Sequence, residues 1–487
     1  MSWLNPLDAA WLYVESREAP MHVAALQLFS LPRGAPDDFV GQMLAEFKSA
    51  DTIAAPWNHR LSGGWLDRVL PSWAADAAVD LDYHVRHSGL PRPAGERELG
   101  VLVSRLHSQA LDLTRPLWEC HFIEGLEGGR FAVYTKMHHS MIDGVSGMRM
   151  LQRMLSTSPD TRGMPAPWAA RPSDPSDASA TSQGEVGALG SMVGALGTAV
   201  DTLLTQAGSL GDVVPALFEL VCAGVGLDDS LTAPLACPAS LLNGRVTAQR
   251  RFATQDVTLE DVRAAAAAAD CTMNDVVLAI CSGAVRRFLL ELGALPDEPL
   301  TAGLPVNVRL AGDERPGTGI SFICANLATN VDDPRRRLEV IKVSTARAKA
   351  HLRHLPDAAL TQYTIAFMSP YILQLLTGLG GHLRPAFNVT ISNVQGPDHL
   401  LYLNGARLDS MYPMSLLSHG QALNITCLSY AGRLNFGITG CRDTLPHMQR
   451  IAVYAGEAFE ELKALYVGRP RARSTTTPRA AHGSRSL

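Results

Sequence analysis

Hydrophobic and polar positions alternate with a two-residue period from Arg130 to His139. Phe131, Val133, Thr135, Met137 and His139 fall on one face and Ala132, Tyr134, Lys136 and His138 on the other. That pattern predicts a strand whose two terminal histidines point in opposite directions. Met148, Leu151 and Leu155 then recur at three- and four-residue spacing, so a helix is predicted soon after Gly144. Upstream, "MHVAALQLFSL" reads as a strand and "RELGVLVSRLHSQAL" as an amphipathic helix, which makes residues 1–155 an α/β unit. The next stretch, "STSPDTRGMPAPWAARPSDPSDASATSQ", is rich in Pro, Ser, Asp and Ala and has the composition of a linker. Residues 184–226 follow, with Gly-Ala-Leu-Gly repeated seven residues apart; they read as a closely packed helix pair or as an amphipathic surface that touches a membrane. Residues 156–244 are therefore assigned to a linker and an apolar helical crossover.

A second α/β unit is assigned to residues 245–467. "DVRAAAAAADCTMNDVVLAICSGAVRRFLLELG" predicts two helices, the second turning Val276, Val277, Ile280, Ala284 and Phe288 toward a core. "FNVTISNV" reads as a strand, and "LNITCLSYAGRLNFGITGC" as a hairpin that turns at Ala431-Gly432. No repeat period suggests a solenoid. Residues 468–487 carry five arginines and no acid, and are assigned to a basic, disordered tail.

A chain of 487 residues is too long for one ordinary domain, so two sizeable cores are expected. Charged residues make up 18% and hydrophobic ones 46%, which excludes wholesale disorder and points to more apolar surface than usual. With a net charge of −5, only the tail offers the basic character that nucleic acid would require. The eight cysteines form no C-x-x-C pair and lie in apolar contexts, which predicts buried free thiols in a reducing compartment. No secretory signal is read at the N-terminus. The longest uncharged apolar-rich run, Val186 to Val200, is shorter than the roughly 18 to 20 residues that cross a bilayer.

The segment "HHSMIDG", His138 to Gly144, has three readings. The histidines are satisfied polar groups at a strand end, or two His and Asp143 bind a metal, or one imidazole is a general base that Asp143 helps to organise, with Gly144 permitting a tight turn. Opposite-facing neighbours on a strand oppose the metal reading, and no metal is expected. Only the third reading uses the order of the residues.

"HHSMIDG" resembles the HHxxxDG signature of the CoA-dependent acyltransferase superfamily, to which chloramphenicol acetyltransferase and the condensation domains of peptide synthetases are similar. More of the chain resembles the bacterial wax ester synthase/diacylglycerol acyltransferase family. The similar segments are "NPLDAAWLYVESREAPMHVAALQLF", "DLDYHVRH", "LDLTRPLWECHFIEGL", "MNDVVLAICSGAVRRFL", "PVNVRL" and "FNVTISNVQGP". Gln395 departs from the proline usual in that last turn, which leaves the rigidity of the loop open.

The resemblance implies an α/β (α+β) fold of two chloramphenicol acetyltransferase-like domains with an active-site tunnel between them. It also implies an O-acyltransferase that moves a fatty acyl group from acyl-CoA to a long-chain alcohol or to diacylglycerol. His139, the second histidine of the motif, maps to the family's base. Acyl-CoA is then a substrate and no cofactor is expected. The partners implied are acyl-CoA, the lipid acceptor and a peripheral membrane or lipid-droplet surface, reached from the cytoplasm. An amide-forming condensation domain and a non-catalytic lipid-binding protein are the alternatives. The first would sit beside carrier domains, of which the sequence shows no sign, and an intact His139 argues against the second.

The remaining candidates carry two readings each. Asp143 resembles a structural anchor that pairs with an arginine of the other domain, matched here by Arg309, whose plain alternative is a surface position. Asn274 and Asp275 follow Thr272 in a T-x-x-D capping box, while the family's Asn-Asp motif falls at the same place, so Asn274 is either a cap-region residue or an active-site amide. Ser392 and Asn393 are turn residues or donors to the thioester carbonyl or the CoA arm. Trp118, in "RPLW", is a packed corner or a wall of the substrate channel.

Overall fold

The strand ahead of the paired histidines runs Arg130–His138 and occupies an inner position in a six-stranded sheet. The computed structural model describes residues 2–4, 6–50, 52–63, 71–142, 144–169, 232, 234–307, 320–353 and 357–468. Asp143, Arg309, most of the 156–244 crossover and the tail beyond Gly468 lie outside the described residues.

The first sheet has the strand order Tyr402–Leu403, Ala406–Met414, His22–Ser30, Arg130–His138, Trp118–Leu126, Val85–Gly89, with only the last pair parallel. The second has the order Ile320–Asn326, Thr301–Asn307, Val389–Gln395, Leu423–Tyr430, Arg433–Cys441, Arg250–Thr258. In that sheet Val389–Gln395 runs parallel to both of its neighbours. A small three-stranded sheet of Ser2–Trp3, Ser72–Ala75 and His59–Leu61 stands apart from both.

Chain position does not divide the two large sheets. Ala406–Met414 belongs to the C-terminal half yet pairs antiparallel with His22–Ser30 and brings Tyr402–Leu403 with it, so a boundary at residue 244 leaves two strands on the far side. Alternation along "ARLDSMYPM" marks a strand, but its partner is chosen by packing of distant elements. The crossing is tight: a Cβ on Gly437, in Arg433–Cys441, would overlap the Pro413 carbonyl.

Local chemistry accounts for the elements around it. The hairpin turns at Ala431-Gly432, both with positive φ (44° and 81°), as a two-residue turn between twisted strands requires. The two predicted helices are Leu259–Ala268 and Met273–Glu291. The second opens on a reciprocal cap, in which the Asp275 N–H donates to Thr272 Oγ1 (3.3 Å) and the Thr272 N–H donates to the Asp275 carboxylate (2.9 Å). Thr345 also donates to that carboxylate at 2.6 Å, so Asp275 is fully engaged as a cap. Six of the seven described free cysteines are buried. Among the described residues no single helix is long and apolar enough to cross a membrane.

On the face away from His139, the first sheet covers a buried polar layer. His107 ends helix Glu96–His107 and is 1% exposed. Its Nε2–H donates to the Ser415 carbonyl (3.3 Å) and its Nδ1 accepts from the Tyr134 hydroxyl (2.9 Å), a pattern that holds the ring neutral. Burial foremost, reinforced by Arg250 and Lys136 against the Ser415 hydrogen bond, draws its pKa down to about 3. His22, whose Nε2–H donates to the His107 carbonyl (3.0 Å), is also held well below the usual histidine value by burial and then by His107 and Lys136. In the unfolded chain both rings bind protons near a pH of about 6.5.

The sign of the linkage follows. Stability from these neutral rings is fully present above that value and falls as pH drops from there toward 3, because the unfolded state takes up the protons. Each ring should cost roughly 1.4 kcal/mol per pH unit once below the unfolded value. Urea midpoints measured at pH 7 and pH 5 are expected to show a clear loss at the lower pH, and His107→Gln should flatten that slope. Equal midpoints for the intact protein would contradict the assignment.

Candidate active site

Between the two large sheets lies a cavity of about 340 Å³ with mostly apolar walls. The first sheet supplies Val23, Ala25, Thr135 and Met137, and His139 stands just beyond the strand end. Helix Gly144–Arg153 adds Met148 and Leu151, and the second sheet adds Thr390, Ser392, Val394, Asn424, Thr426 and Leu428. Pro413 to Leu416, at the end of the strand that crosses between the halves, complete the join.

The two-residue period decides which histidine reaches this space. Thr135, Met137 and His139 all line it, whereas Tyr134, Lys136 and His138 are fully buried on the opposite face. The His139 N–H donates to the Met21 carbonyl at 2.8 Å, carrying the strand pairing one residue beyond His138. Its half-buried ring stacks on the Trp11 indole, with centroids 4.3 Å apart and planes at 25°. Trp11 belongs to helix Pro6–Val14, so the N-terminal segment fixes the orientation of the imidazole.

The same segment also holds the other histidine. Nε2 of His138 lies 3.0 Å from a carboxylate oxygen of Glu15, and the Ser140 N–H donates to its Nδ1 at 3.1 Å. With Nδ1 an acceptor, the ring proton sits on Nε2 and is donated to Glu15. The Ser140 hydroxyl, 2.7 Å from Nδ1, donates there as well. His138 is thus an anchored post beneath the turn that carries His139, and its ring does not touch the cavity. Because adjacent imidazoles face opposite ways, they cannot share one ion.

Glu15→Ala removes the acceptor from a fully buried ring and is expected to cost roughly 1–3 kcal/mol of stability. Through the Ser140 turn it should also lower kcat more than it changes KM. Denaturant unfolding and steady-state kinetics on the same preparation check both, and an unaltered stability would contradict the anchoring role.

Opposite His139 the wall is polar in a limited way. Ser392 and Thr426 are register partners on adjacent parallel strands, as are Thr390 and Asn424. The Thr426 hydroxyl donates to Asn424 Oδ1 (3.0 Å), so in the 2.8 Å contact between Ser415 and Thr426 the Ser415 hydroxyl is the donor. The chain of bonds orients the Asn424 amide, whose N–H groups are donors on this wall. A half-buried imidazole facing hydroxyl and amide donors across an apolar space is suited to accepting a proton from one reactant while stabilising negative charge on another.

The other sequence candidates divide. Ser392 lines the cavity; Asn393 does not, because alternation turns it to the far face of Val389–Gln395, where it is exposed. Of its two readings Trp118 takes the packed corner, and its place among substrate-channel residues is corrected: it is fully buried, donates from Nε1 to the Trp57 carbonyl (2.7 Å) and stacks on His84 and Trp168. Asn274 is the second residue of helix Met273–Glu291 and is not among the residues that line the cavity. Gly144 starts the helix that follows the motif. The proposed pairing of Asp143 with Arg309 lies outside the described residues. Trp11, Glu15, Ser415, Asn424 and Thr426 were not singled out in the sequence. Alternation in "LNITCLSY" puts Asn424, Thr426 and Leu428 on one face, but nothing local says that this face meets His139.

Two sheets meeting over a histidine-bearing cavity define a paired-sheet α/β architecture. It is shared with the first condensation domain of the calcium-dependent antibiotic synthetase, with TM-score 0.53, 17% identity, and coverage of 96% of this chain and 97% of that one, a likeness of fold alone. The family profile for the wax ester synthase/diacylglycerol acyltransferase catalytic domain matches residues 4–277, and that for the WS/DGAT C-terminal domain matches residues 317–463. The chain belongs to the wax ester synthase/diacylglycerol acyltransferase family. A Mycobacterium tuberculosis protein named as a diacylglycerol O-acyltransferase is 47% identical over 486 residues, spanning 95% of this chain and 97% of the relative. The solved wax ester synthase/diacylglycerol acyltransferase from Marinobacter aquaeolei VT8 superposes with a TM-score of 0.76 at 37% identity, covering 96% of this chain and all of that one. The protein is accordingly an O-acyltransferase.

Proposed function

We propose that the enzyme transfers a fatty acyl group from acyl-CoA to a long-chain alcohol, giving a wax ester, or to diacylglycerol, giving triacylglycerol. The observation that carries this reading is His139, half-buried at the wall of the apolar cavity between the two sheets. An aliphatic hydroxyl is a poor nucleophile at neutral pH, and a neutral imidazole, whose ordinary pKa is about 6.5, can accept its proton during attack. As His139 takes the proton, the alcohol oxygen bonds to the thioester carbonyl carbon and a tetrahedral oxyanion forms. Collapse of that intermediate breaks the carbon–sulfur bond, and the departing thiolate recovers the proton from the imidazolium.

No acyl-enzyme forms and no cofactor is consumed. General base catalysis supplies roughly 10² to 10⁴-fold, so orientation in the cavity and oxyanion donors must supply much of the rest. Ser392 and the Asn424 amide are assigned to the oxyanion. Asp143 and Arg309 are assigned to a clasp that fixes the turn after His139. Both acceptors are lipids, so the enzyme works at a membrane or lipid-droplet surface, with the 184–226 stretch and the basic tail as candidate anchors.

Incubation with labelled palmitoyl-CoA and either hexadecanol or a diacylglycerol tests the reading. Ester and free thiol should appear in equal amounts. Thiol without ester would indicate hydrolysis, and the absence of both would indicate a silent lipid-binding protein; either outcome contradicts the proposal.

A further inference from the structure

Sixteen large hydrophobic side chains are exposed among the described residues, and four of them fall within eleven consecutive positions. These are Leu373 (60%), Leu376 (47%), Leu379 (45%) and Leu383 (50%). Single exposed leucines are ordinary; a cluster of this kind marks an interaction surface. Leu373 and Leu376 ride on helix Asp357–Thr377. At 3.6 residues per turn they sit about 200° and about 140° around the helix from Tyr371, and so face away from it. Tyr371, in turn, is buried and lines the cavity.

Past the helix end, Gly378 and Gly381 take positive φ (65° and 80°), and the chain turns through Leu379 and Leu383 before returning inward at Phe387. Phe387 lines the cavity too, its ring 5.3 Å from that of Tyr371. One short segment thus presents leucines outward and two cavity rings inward.

Along the chain, the charges that flank these leucines are of one sign. Residues 372–397 contain no Asp or Glu, and neither do residues 232–255, the stretch bonded to them. Arg245 donates to the Gly378 carbonyl (3.0 Å), Arg384 donates to the Cys237 carbonyl (3.2 Å), and the Leu235 N–H donates to the Ala386 carbonyl (3.0 Å). Arg245, His382 and Arg384 are all exposed. An apolar cluster flanked in its own segments by exposed cations and by no acids complements an anionic headgroup layer over a hydrocarbon interior. A second copy fits less well, since a two-fold contact through this face would bring arginine toward arginine.

We propose that this face docks the enzyme on an anionic phospholipid bilayer, so that a lipid acceptor passes into the cavity by way of Tyr371 and Phe387. The proposal rests on the acyl-transfer reading and adds the surface through which the acceptor arrives.

Full-length protein and its Leu373→Ser/Leu379→Ser variant are compared in three measurements. These are flotation with phosphatidylcholine vesicles with and without phosphatidylglycerol, thiol release from palmitoyl-CoA with vesicle-borne diacylglycerol, and thiol release with a water-soluble short-chain alcohol. The intact protein should float more with phosphatidylglycerol present. In the variant, flotation and turnover of vesicle-borne acceptor should fall roughly tenfold, while Tm and turnover of the soluble alcohol stay unchanged. Flotation equal to that of the intact protein would overturn the proposal. So would a Tm lower by several degrees, which would mean that the chain's own segments cover the leucines, or a change in oligomeric mass with flotation intact, which would assign the face to a second copy. If the intact protein releases no thiol with any acceptor, the acyl-transfer reading fails, and flotation alone then decides whether the face docks.

Discussion

His139→Ala is expected to lower kcat by roughly 10² to 10⁴-fold, with Tm little changed. The half-buried imidazole opens on a cavity that already exists, so truncating it enlarges that space rather than opening a new one inside a packed core. His138→Ala should behave in the opposite way. That ring is fully buried and tied to Glu15 and Ser140, so its loss should lower stability first and activity only as the turn relaxes. Thiol-release kinetics and thermal unfolding of both variants separate the roles. Near-normal turnover in the His139 variant beside a well-folded but dead His138 variant would reverse the assignment of the two faces.

Glu119→Ala should give the largest loss of stability, roughly 3–5 kcal/mol, because it strands a buried cation. Lys136 is fully buried on the strand that ends at the paired histidines, and its Nζ lies 3.1 Å from the Glu119 carboxylate. The Leu106 and Gln109 carbonyls also accept from Nζ, at 3.2 and 2.9 Å, which ties the end of helix Glu96–His107 to the sheet. Burial by itself would raise the Glu119 pKa, but the His121 hydrogen bond and the Lys136 charge outweigh it and hold the group at about 2. This contribution is therefore present above the ordinary carboxylate range and lost as pH falls toward 2. Urea unfolding at pH 7 measures the loss, and Lys136→Met added to Glu119→Ala should restore part of it. A single-variant loss below about 1 kcal/mol would show that the backbone carbonyls suffice for Lys136.

What the sequence disclosed, and what it withheld, follows from the range of the interactions involved. The strand with its opposed histidines, the helix after Gly144, the capped helix from Met273 and the turn at Ala431-Gly432 rest on local periodicity, capping and turn chemistry. Each is fixed within a few residues and is visible in them. The placing of Ala406–Met414 in the first sheet depends on contacts some 380 residues apart, and the facing of Asn424 and Thr426 toward His139's cavity on contacts some 285 residues apart. Trp118 shows the same limit: an aromatic beside Pro and Leu is equally at home in a core or a channel wall, and only the stacked His84 and Trp168 decide for the core. Asn393 was separable in principle, because the period that brings Ser392 into the cavity turns its neighbour out. Glu15 and Trp11 fall in a segment whose family resemblance was legible, but their grip on the two histidines was not.

The central claim is that the alcohol attacks the thioester directly, with His139 as base and no covalent intermediate. Rapid mixing of excess palmitoyl-CoA with the enzyme, with thiol followed before and after alcohol is added and the protein mass read at each stage, tests it most directly. The account predicts no burst of thiol and no change in protein mass until alcohol is present, then thiol and ester in equal amounts. A burst approaching one thiol per enzyme, with a palmitoyl-sized increase in protein mass before any alcohol is added, would contradict it.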